Sequence, residues 1–455
     1  MTTHEQDRRN KLDQIRALGF DPYSHDPLSR INPIDVVRKE YKSIMGKNGG
    51  PFSTVAGRIL LRRGMGKLSF ITLQSEDGSI QVAFDHSALS EEHRKLVKLL
   101  DLGDIIIASG NLGATNTGEI TIWATELRIV SKSLLPPPDK VEGFKEPEAR
   151  YRNRHVELWS NPDLMKIIKR RFEVVARIRD FLNEHQFLEV ETPIMQNIAG
   201  GAIAKPFVTH HNALDIDLYL RIAPELYLKK LLMGGFTKIY EIGKNFRNEG
   251  ISNKHNPEFT ALELYEAFGD YRSMMNLLEE MITCRAYHSF DLLAYGEHQI
   301  SFSLPYRRVR LNQLVEQGTP EEQLRVYENE IEKTLINPTF VTHLPCSAMP
   351  LAKESKNYPG YAEVFELVIA GQEVGTGYTE LNDPDVQLRN FQSQTKDGHC
   401  LDMEFVNAMK AGMPPAGGLG LGIDRLVAII TNQQNIRDII PFPLLKEVSH
   451  DTIKT

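Results

Sequence analysis

The amino-acid sequence predicts an α+β protein of two domains, with a small β-barrel in residues 1–140 and a larger domain of mixed helices and strands in residues 141–455. Short runs of alternating apolar and polar residues come first, three consecutive prolines follow, and a long amphipathic helical pattern then begins the remainder. A chain of 455 residues also exceeds the length at which one hydrophobic core stops growing, so at least two domains are expected.

The barrel prediction depends on residues 54–130, where short alternating runs are separated by glycine, aspartate and asparagine. These runs are TVAGRILL, SFITLQ, SIQVAF, DIIIASG and EITIWATELRIV. Short strands with turn signals between them are typical of a small β-barrel. The segment LLPPPDK at residues 134–140 can continue neither a helix nor a central strand, so we place the domain boundary there.

The second domain opens with the pattern of a long amphipathic helix. Residues 161–163, Asn-Pro-Asp, resemble a helix start. Apolar residues then recur at helical spacing, at Leu164, Ile168, Phe172, Val175, Ile178 and Leu182. The residues that follow mix strand and helix patterns without repeats, which indicates an α+β domain.

Composition excludes several classes of protein. The hydrophobic fraction of 41% and the charged fraction of 25% are typical of globular proteins, and a net charge of −7 argues against a bulk polyanion binder, although a local basic face remains compatible with nucleic acid. The N-terminus lacks a signal peptide and no stretch is long enough to span a bilayer, so we expect a cytoplasmic protein without membrane association. Cys284, Cys346 and Cys400 form no metal or disulfide pattern and are expected to be reduced thiols.

The strongest local signal is the segment KIYEIGKNFRNEGISNKHNPEFTALELY at residues 238–265, which predicts a long antiparallel hairpin. Period-2 counting places Phe259, Glu263 and Tyr265 on one face of the second strand, and Arg247 and Glu249 on one face of the first. A solvated charged hairpin would explain the arginine and its neighbouring glutamate. It would not explain a tyrosine beside a carboxylate in an otherwise hydrophobic strand.

Three motifs then carry a resemblance to a known family. The pattern F-R-x-E with H-x-P-E-F-T at residues 246–260 resembles motif 2 of class II aminoacyl-tRNA synthetases, and GLGLGIDR at residues 418–425 resembles their motif 3. The long helix followed by FLEVETPIM resembles motif 1, in which the position of Pro193 lies at the dimer interface. The resemblance implies an antiparallel sheet flanked by helices, adenylate formation from ATP, and a homodimer.

The resemblance also implies roles for individual residues in ATP binding. Arg247 matches the catalytic arginine that holds the α-phosphate, and Arg425 matches the one that binds the γ-phosphate. Phe259 would stack on the adenine, Glu249 would read the adenine edge, and His255 would lie near the β- and γ-phosphates. Adenylate formation needs positioning and charge neutralisation more than a general base, because the attacking carboxylate is already ionised at neutral pH.

Glu366 and Glu373 resemble the two glutamates that bind Mg²⁺ in this family. A tight turn at residues 370–371 would make them diagonal cross-strand neighbours, and two adjacent carboxylates suit a magnesium ion shared with phosphates. Two exposed strand glutamates are the alternative interpretation. It is less favourable, because like charges set close together destabilise a sheet unless a cation intervenes.

The lysine-specific members of the family match this chain in their amino-acid pocket. A buried ammonium needs carboxylate partners, which Glu263 and Glu380 can supply beside Tyr265, whereas an aspartate-specific pocket would need cations. Positions matching Gly201 and Glu225 hold the backbone amine of the substrate. The resemblance further assigns lysine binding to Thr376 and Tyr378, in the segment GTGYTELN. We therefore expect ATP-dependent formation of lysyl-adenylate and transfer of lysine to tRNA(Lys).

The predicted barrel resembles the OB-fold anticodon-binding domain of the same enzymes. Phe70, Gln81 and Glu119 match the positions that stack on or read bases, and Arg58 is assigned to the same surface. Arg58, Arg62, Arg63 and Lys67 would form a basic face for backbone phosphates. A solvated edge strand is the alternative interpretation of that basic run.

Three departures from the family pattern leave alternatives open. Thr376 replaces an asparagine that ordinarily contacts the substrate, Met403 replaces an acidic residue, and the helical insertion near residues 306–336 looks shorter than usual. A synthetase paralogue with another amino-acid substrate or acceptor is therefore the second hypothesis, and a non-enzymatic RNA-binding regulator is the third. Glu373 and Glu380 also have opposite parity on a regular strand, so a bulge at Gly375 or Gly377 is expected if both face one cavity.

Overall fold

The computed structural model describes residues 3–23, 30–42, 49–138, 143–144, 146–202, 204–283, 292–394 and 401–446. The chain divides into two compact units, Met1–Lys166 with Leu445–Thr455, and Ile167–Leu444. The boundary expected at residue 140 falls outside the described residues and stays a prediction, as do the states of Cys284 and Cys400. Cys346 is a free thiol whose pKa is raised to about 11 by burial.

The first unit is built around a closed five-stranded barrel. Its elements are α1 (Thr3–Ala17), α2 (Ile34–Glu40), β1 (Phe52–Met65), β2 (Leu68–Ser75), β3 (Gly78–Asp85), α3 (Glu91–Leu99), β4 (Ile105–Ala114), β5 (Ile120–Ser131), α4 (Pro147–Arg152) and α5 (Arg154–Ser160). The strand order is β1-β2-β3-β5-β4, and only β3 and β5 pair in parallel among these strands. Alternate residues fill the interior, including the fully buried Ile59, Ile71, Val82 and Ile122. The barrel predicted from the alternating runs is confirmed.

Helix α6 (Pro162–Glu184) begins where the sequence predicts. The Asn161 side chain accepts hydrogen bonds from the backbone N–H groups of Asp163 and Leu164, at 3.2 and 3.3 Å, and so satisfies donors that the first turn leaves without a helical partner. The apolar face of the helix packs into the core of the second unit through Ile178. Phe172, at the edge of that face, remains 57% exposed.

An eight-stranded mixed sheet forms the centre of the second unit. The strands of the whole unit are β6 (Leu188–Glu189), β7 (Met195–Gln196), β8 (Val208–His211), β9 (Ile216–Leu220), β10 (Lys238–Phe246), β11 (Glu258–Ala267), β12 (Leu292–Tyr295), β13 (His298–Ser301), β14 (Arg307–Arg310), β15 (Thr339–Thr342), β16 (Val364–Ile369), β17 (Gln372–Thr379) and β18 (Ala416–Gly422). Of these, β7, β8 and β9 form a separate three-stranded sheet, and β12 and β13 form a two-stranded sheet. The main sheet has the order β14-β15-β16-β17-β18-β11-β10-β6, and the five pairs between β15 and β10 are antiparallel. The outer strands β14 and β6 pair in parallel.

Helices cover this sheet and complete the unit. They are α7 (Glu225–Met233), α8 (Tyr271–Thr283), α9 (Leu311–Leu314), α10 (Pro320–Val326), α11 (Pro384–Gln394), α12 (Met403–Met409) and α13 (Ile423–Ile430). The residues of the predicted helical insertion form α9, α10, a π-helical turn at Tyr327–Ile331 and a 3₁₀ turn at Glu332–Thr334. An antiparallel sheet flanked by helices is thus confirmed. In the described parts of the chain, no helix combines the length and apolar character needed to cross a membrane.

Candidate active site

One cavity in the second unit collects every residue that the sequence assigns to substrate binding in this domain. Strands β11, β17 and β18 lie side by side at its base, because Glu263 pairs with Gly420 and Thr376 pairs with the same glycine from the other side. The predicted residues that line the cavity are Gly201, Glu225, Arg247, Glu249, His255, Phe259, Glu263, Tyr265, Glu366, Glu373, Thr376, Tyr378, Glu380 and Arg425. Their side chains come from five separate segments of the chain.

Three buried carboxyl groups gather at one end of this cavity. Glu225 begins α7, Glu263 lies within β11, and Glu380 follows the last residue of β17; they are 5%, 9% and 1% exposed. The hydroxyl of Tyr378 donates to Glu225 Oε1 at 2.5 Å, and the hydroxyl of Tyr265 donates to Glu263 Oε2 at 3.1 Å. The tyrosines therefore hold two of the three carboxyl groups by conventional hydrogen bonds.

A lysine that the sequence analysis did not single out lies behind these carboxyls. The ammonium of Lys229, which is fully buried in α7, lies 2.7 Å from Glu225 Oε1 and contacts Glu380 Oε2 as an ion pair. The contact with Glu380 lacks hydrogen-bond geometry, and neither oxygen of Glu380 has a hydrogen-bond partner among the described residues. The i, i+4 spacing of Glu225 and Lys229 on one helix is the sequence signal that would have found this pair.

Burial raises the proton affinity of this group of residues. Desolvation, with the nearby Glu225 charge, raises the pKa of Glu263 to about 8. The pKa of Glu380 is also raised by desolvation, although the Lys229 ammonium opposes the shift. The pKa of Lys229 is raised because the two carboxylates outweigh its own desolvation. The raised pKa values of Glu263 and Glu380 favour protonated carboxyl groups, and a cation that binds there would displace these protons.

Two glycines make room at this end of the cavity. A Cβ atom at Gly418 would lie 2.1 Å from Glu380 Oε1 and 2.5 Å from Tyr265 Cε1, both of them buried atoms that cannot move freely. Gly201 has φ +86°, which side chains disfavour, and a Cβ atom there would lie 3.1 Å from the Cβ of Glu225. Glycine at these positions lets the backbone approach the carboxyl group.

The other end of the cavity is lined by cationic and aromatic side chains. The guanidinium of Arg247 lies 5.1 Å from the ring centroid of Phe259. β10 ends at Phe246, so Arg247 and Glu249 lie in the loop between β10 and β11. Period-2 counting had placed them on the strand. The expected strand position is wrong, because the backbone N–H of Arg247 bonds to Pro257 where strand pairing stops, yet both residues still line the cavity.

Arg425, at the start of α13, contacts β17 and the loop between β10 and β11. Its Nη1 donates to the backbone carbonyl of Glu373 at 2.6 Å, and its Nη2 lies 3.2 Å from Nε2 of His255. Desolvation and the positive charge of Arg425 lower the pKa of His255. This arrangement places a guanidinium and an imidazole side by side, which suits the binding of an anion.

The acidic pair is formed by a turn and a bulge. Ala370 and Gly371 both have positive φ, of 54° and 67°, as a type I′ hairpin turn requires. The register then shifts between Leu367 and Val368, leaving Val374 as an extra residue on β17. The bulge expected at Gly375 or Gly377 is therefore present next to Gly375, and it brings Glu373 and Glu380 to the same cavity.

Glu366 is a half-buried member of the pair with a strongly raised pKa. Desolvation and the adjacent carboxyls of Glu373 and Glu332 raise its pKa well above the ordinary value. The hydroxyl of Tyr327, in the π-helical turn, donates to Glu366 Oε2 at 3.2 Å. Among the described residues no group of three or more histidine, cysteine, aspartate or glutamate side chains is arranged to hold a metal ion. A cation here would therefore take its remaining ligands from a substrate or from water.

Thr376 lines the cavity with its hydroxyl already engaged. Its Oγ1 donates to the backbone carbonyl of Phe365 at 3.0 Å, across the β16–β17 pair. The hydroxyl that replaces the usual asparagine therefore supports strand pairing.

On the barrel, Phe70 and Gln81 lie on the outer face of adjacent strands. Ala83 pairs with Phe70 on β2 and with Trp123 on β5, and the ring centroids of Phe70 and Trp123 are 6.4 Å apart. Gln81 donates to the Thr121 hydroxyl at 2.9 Å. Glu119 is exposed near the end of this face, 4.0 Å from Arg38.

Two arginines of the expected basic face, whose contact with nucleic acid stays a prediction, also bond within the barrel unit. Arg58 donates to the carbonyl of Gly103 at 2.7 Å and lies 5.0 Å over the ring of Trp159. Arg62 donates to the carbonyl of Leu100 at 2.7 Å. Both guanidinium groups thus stabilise the barrel unit itself, because backbone carbonyls of neighbouring segments lie within their reach. Arg63 and Lys67 are exposed.

Comparison with known proteins identifies the family. Residues 146–446 match the model of class II tRNA synthetases (D, K and N), and residues 53–130 match that of an OB-fold nucleic acid binding domain. The chain is 42% identical to a lysine–tRNA ligase of Carboxydothermus hydrogenoformans, over 96% of this chain and 97% of that protein. It is 40% identical to a lysine–tRNA ligase of Clostridium novyi, over 97% and 94%. The chain therefore belongs to the class II tRNA synthetases (D, K and N).

Proposed function

We propose that this protein is a lysine–tRNA ligase, which activates lysine with ATP to lysyl-adenylate and transfers it to the 3′ end of tRNA(Lys). The observation that carries the proposal is the excess of buried carboxyl groups: Glu225, Glu263 and Glu380 face one cavity, and the single lysine ammonium in contact with them among the described residues, that of Lys229, pairs with Glu225 and Glu380. A buried carboxyl of this kind is costly unless a cation completes it. The related proteins are named lysine–tRNA ligases, which agrees with lysine as the substrate.

The pocket chemistry favours lysine over the other amino acids of this family. Glu263 and Glu380 would receive the side-chain ammonium with Tyr265, and Glu225 with the backbone of Gly201 would receive the α-ammonium. An aspartate side chain would meet like charge from the same carboxyls, and an asparagine amide would leave them uncompensated. Selection by an unpaired charge is stronger than selection by size alone.

The opposite end of the cavity suits the triphosphate and base of ATP. Arg247 would neutralise the α-phosphate and Arg425, with His255, the outer phosphates. Phe259 would lie against the adenine, whose edge Glu249 would read. Positive charge at both ends of the triphosphate stabilises the charge that develops at phosphorus in the transition state.

Glu366 and Glu373 fit a magnesium ion. Glu366 resists ionisation because of burial and the neighbouring carboxyls, so a divalent cation would stabilise the pair in its charged form. When bound, Mg²⁺ would neutralise phosphate charge and orient pyrophosphate for departure. Tyr327 fixes the direction of Glu366 through its hydroxyl, and the backbone N–H of Glu373 is held at 2.9 Å by Glu332 Oε1.

Two steps follow from this arrangement. A carboxylate oxygen of lysine attacks the α-phosphorus of ATP while the bond to the bridging oxygen breaks and pyrophosphate leaves. A ribose hydroxyl of the tRNA 3′ end then attacks the carbonyl carbon of lysyl-adenylate, loses its proton and displaces AMP. The residues of the cavity hold both reactants in line and neutralise charge, which is the main catalytic requirement of phosphoryl-group chemistry.

The tRNA would be recognised through the barrel as well as through the cavity. Phe70 on β2 presents an aromatic ring, and Gln81 on β3 and Glu119, just before β5, present polar groups. Unpaired anticodon bases are recognised by stacking and by hydrogen bonds to their edges. A cytoplasmic location is proposed because tRNA charging serves protein synthesis there.

A homodimer is proposed from the surface of the motif 1 segment. Phe172, Leu188 and Met195 are 57%, 52% and 56% exposed, although large apolar side chains in this number are usually covered. The same segment pairs subunits in the family that the sequence resembles. A two-fold interface would bury these residues on both subunits.

The direct test is tRNA charging by the purified protein. We expect lysine-dependent exchange of pyrophosphate into ATP with Mg²⁺, and transfer of labelled lysine to tRNA(Lys). Exchange without any loading of tRNA would favour the second hypothesis, a paralogue that delivers an activated amine elsewhere. That alternative draws on Thr376, whose hydroxyl is directed to a backbone carbonyl.

A further inference from the structure

The position of Lys229 requires an explanation beyond substrate contact. Its side chain is fully buried in α7, and it does not belong to the residues that line the cavity. It reaches the cavity only through Glu225, at 2.7 Å, and Glu380, in contact. These are the two carboxyls that the proposed function assigns to opposite ends of the amino acid.

The buried charges at this end of the cavity can be counted. Three carboxyl groups converge there, from Glu225, Glu263 and Glu380, and Lys229 supplies one ammonium in direct contact with two of them. One carboxyl is thereby compensated within the protein. Two carboxylate charges then remain to bind ammonium groups, and a diamino acid carries two ammonium groups.

The hydrogen-bond pattern supports a role in tuning charge over a purely structural ion pair. A structural buried pair is stable when its hydrogen-bonding positions are satisfied. Glu225 accepts hydrogen bonds from Lys229 and Tyr378, whereas Glu380 has the ion pair with Lys229 at Oε2 and no hydrogen-bond partner at Oε1 among the described residues. The lysine thus compensates the pocket while leaving Glu380 able to accept a ligand.

We propose that Lys229 is a positioning residue that sets the charge of the amino-acid pocket, so that its three carboxyls bind two ammonium groups and no more. This inference rests on the proposed lysine-activating function. It predicts that the effect of losing one carboxyl depends on whether the internal ammonium is present. A structural role alone predicts that each loss adds to the other.

The test compares Glu380→Gln with the double variant Lys229→Met/Glu380→Gln in lysine-dependent pyrophosphate exchange. Glu380→Gln leaves one net negative charge for two ammonium groups, and the KM for lysine should rise about 10- to 100-fold, as expected for a lost hydrogen bond to a charged group. The double variant restores two net charges. Its KM for lysine should fall several-fold below that of Glu380→Gln, while the KM for ATP stays the same in both.

Lys230→Met/Glu380→Gln is the matched control, because Lys230 is the next residue on α7 and pairs with Glu404 at the surface. This control should retain the high KM of Glu380→Gln. If Lys229→Met/Glu380→Gln shows a lysine KM equal to or higher than Glu380→Gln, the proposal is overturned. If circular dichroism shows that the methionine variant does not fold, Lys229→Gln/Glu380→Gln replaces it, since the amide still donates to Glu225, and the same ordering decides.

Different results would reject the proposed function and the role of Lys229. Wild-type protein that never activates lysine would reject the proposed function, whatever the variants do. Wild-type protein that activates lysine, with no recovery in either double variant, would reject only the role of Lys229.

Discussion

Nη1 of Arg171 lies 2.6 Å from Oδ1 of Asp424, and the two side chains are only 7% and 2% exposed. The other oxygen of Asp424 accepts the backbone N–H of Thr260 at 3.1 Å, and Arg171 also donates to the Thr260 hydroxyl at 3.0 Å. The motif 1 helix, the second strand of the hairpin and the motif 3 helix are thereby joined at one buried point. The ion pair lies beside the cavity, which Thr260 and Asp424 also line.

Removal of one partner from this pair should destabilise the second unit. Arg171→Met leaves the Asp424 carboxylate buried with only the Thr260 N–H, which typically costs about 3–5 kcal/mol of unfolding free energy. Thermal unfolding followed by circular dichroism measures the loss. Arg170→Met is the control, because Arg170 pairs with Glu173 at the surface and should change stability by less than about 1 kcal/mol. Equal melting temperatures of the two variants would contradict the prediction.

Glu263→Gln should weaken lysine use selectively. The amide preserves the shape of the side chain and removes one charge that would compensate the substrate ammonium, so the KM for lysine should rise by roughly 10- to 100-fold. The KM for ATP should barely change. Pyrophosphate exchange at varied lysine and ATP measures both constants. Glu266→Gln, farther along β11 and paired with Lys238, should leave both unchanged; intact lysine activation with lost ATP binding in Glu263→Gln would place Glu263 at the nucleotide.

The affinity for lysine should rise with pH towards 8. The folded-state pKa of Glu263 is raised to about 8, so below that pH the empty pocket holds a proton that the substrate ammonium must displace. Between pH 6 and 8 the affinity should increase by up to about tenfold per pH unit for each proton released, and it should decline once the lysine amines themselves deprotonate. The charged or titratable groups acting on Glu263 in the pocket are Glu225, Tyr265, Arg221, Arg247 and Glu380.

Calorimetric titration in buffers of different ionisation enthalpy measures this proton release directly. Glu263→Gln supplies the control, since it lacks the carboxyl and should show a flatter pH dependence. Proton uptake on lysine binding by the wild type at pH 7 would reverse the predicted sign and refute the assignment.

Gly418→Ala should block the amino-acid pocket. The added Cβ would lie 2.1 Å from Glu380 Oε1, so the carboxyl and the neighbouring Tyr265 ring would both have to move. We expect lysine activation to fall by more than about tenfold, which is the loss expected when one hydrogen bond to a charged group is removed. Gly64→Ala on β1 is the control, because a Cβ there would meet no atom within 4 Å and Gly64 lies outside the cavity. Steady-state exchange kinetics should separate the two, and equal activity would show that Glu380 moves without cost.

Local sequence patterns predicted the strands that carry Glu263, Glu366 and Glu373, whereas the roles of the site residues came from the family resemblance. The hairpin and the β16–β17 turn follow from alternation and from the residues that tolerate positive φ, such as Gly371. Lys229 was missed because its partner Glu380 is distant in sequence, and only tertiary packing brings them together. The hydrogen bond of Arg58 to the carbonyl of Gly103 was not predicted for the same reason, since these two residues are distant in sequence.

The last prediction concerns assembly through motif 1. Phe172→Glu places a charge on an apolar side chain that is 57% exposed on α6, and a charge buried at a two-fold interface would face its own copy. We expect the wild type to sediment as a dimer at micromolar concentration and Phe172→Glu to shift towards the monomer. Met65→Glu is the control, because Met65 is 66% exposed on the barrel and makes the same change of chemistry outside motif 1. A monomeric wild type would reject the proposed homodimer, and a dimer unaffected by Phe172→Glu would place the interface on another surface.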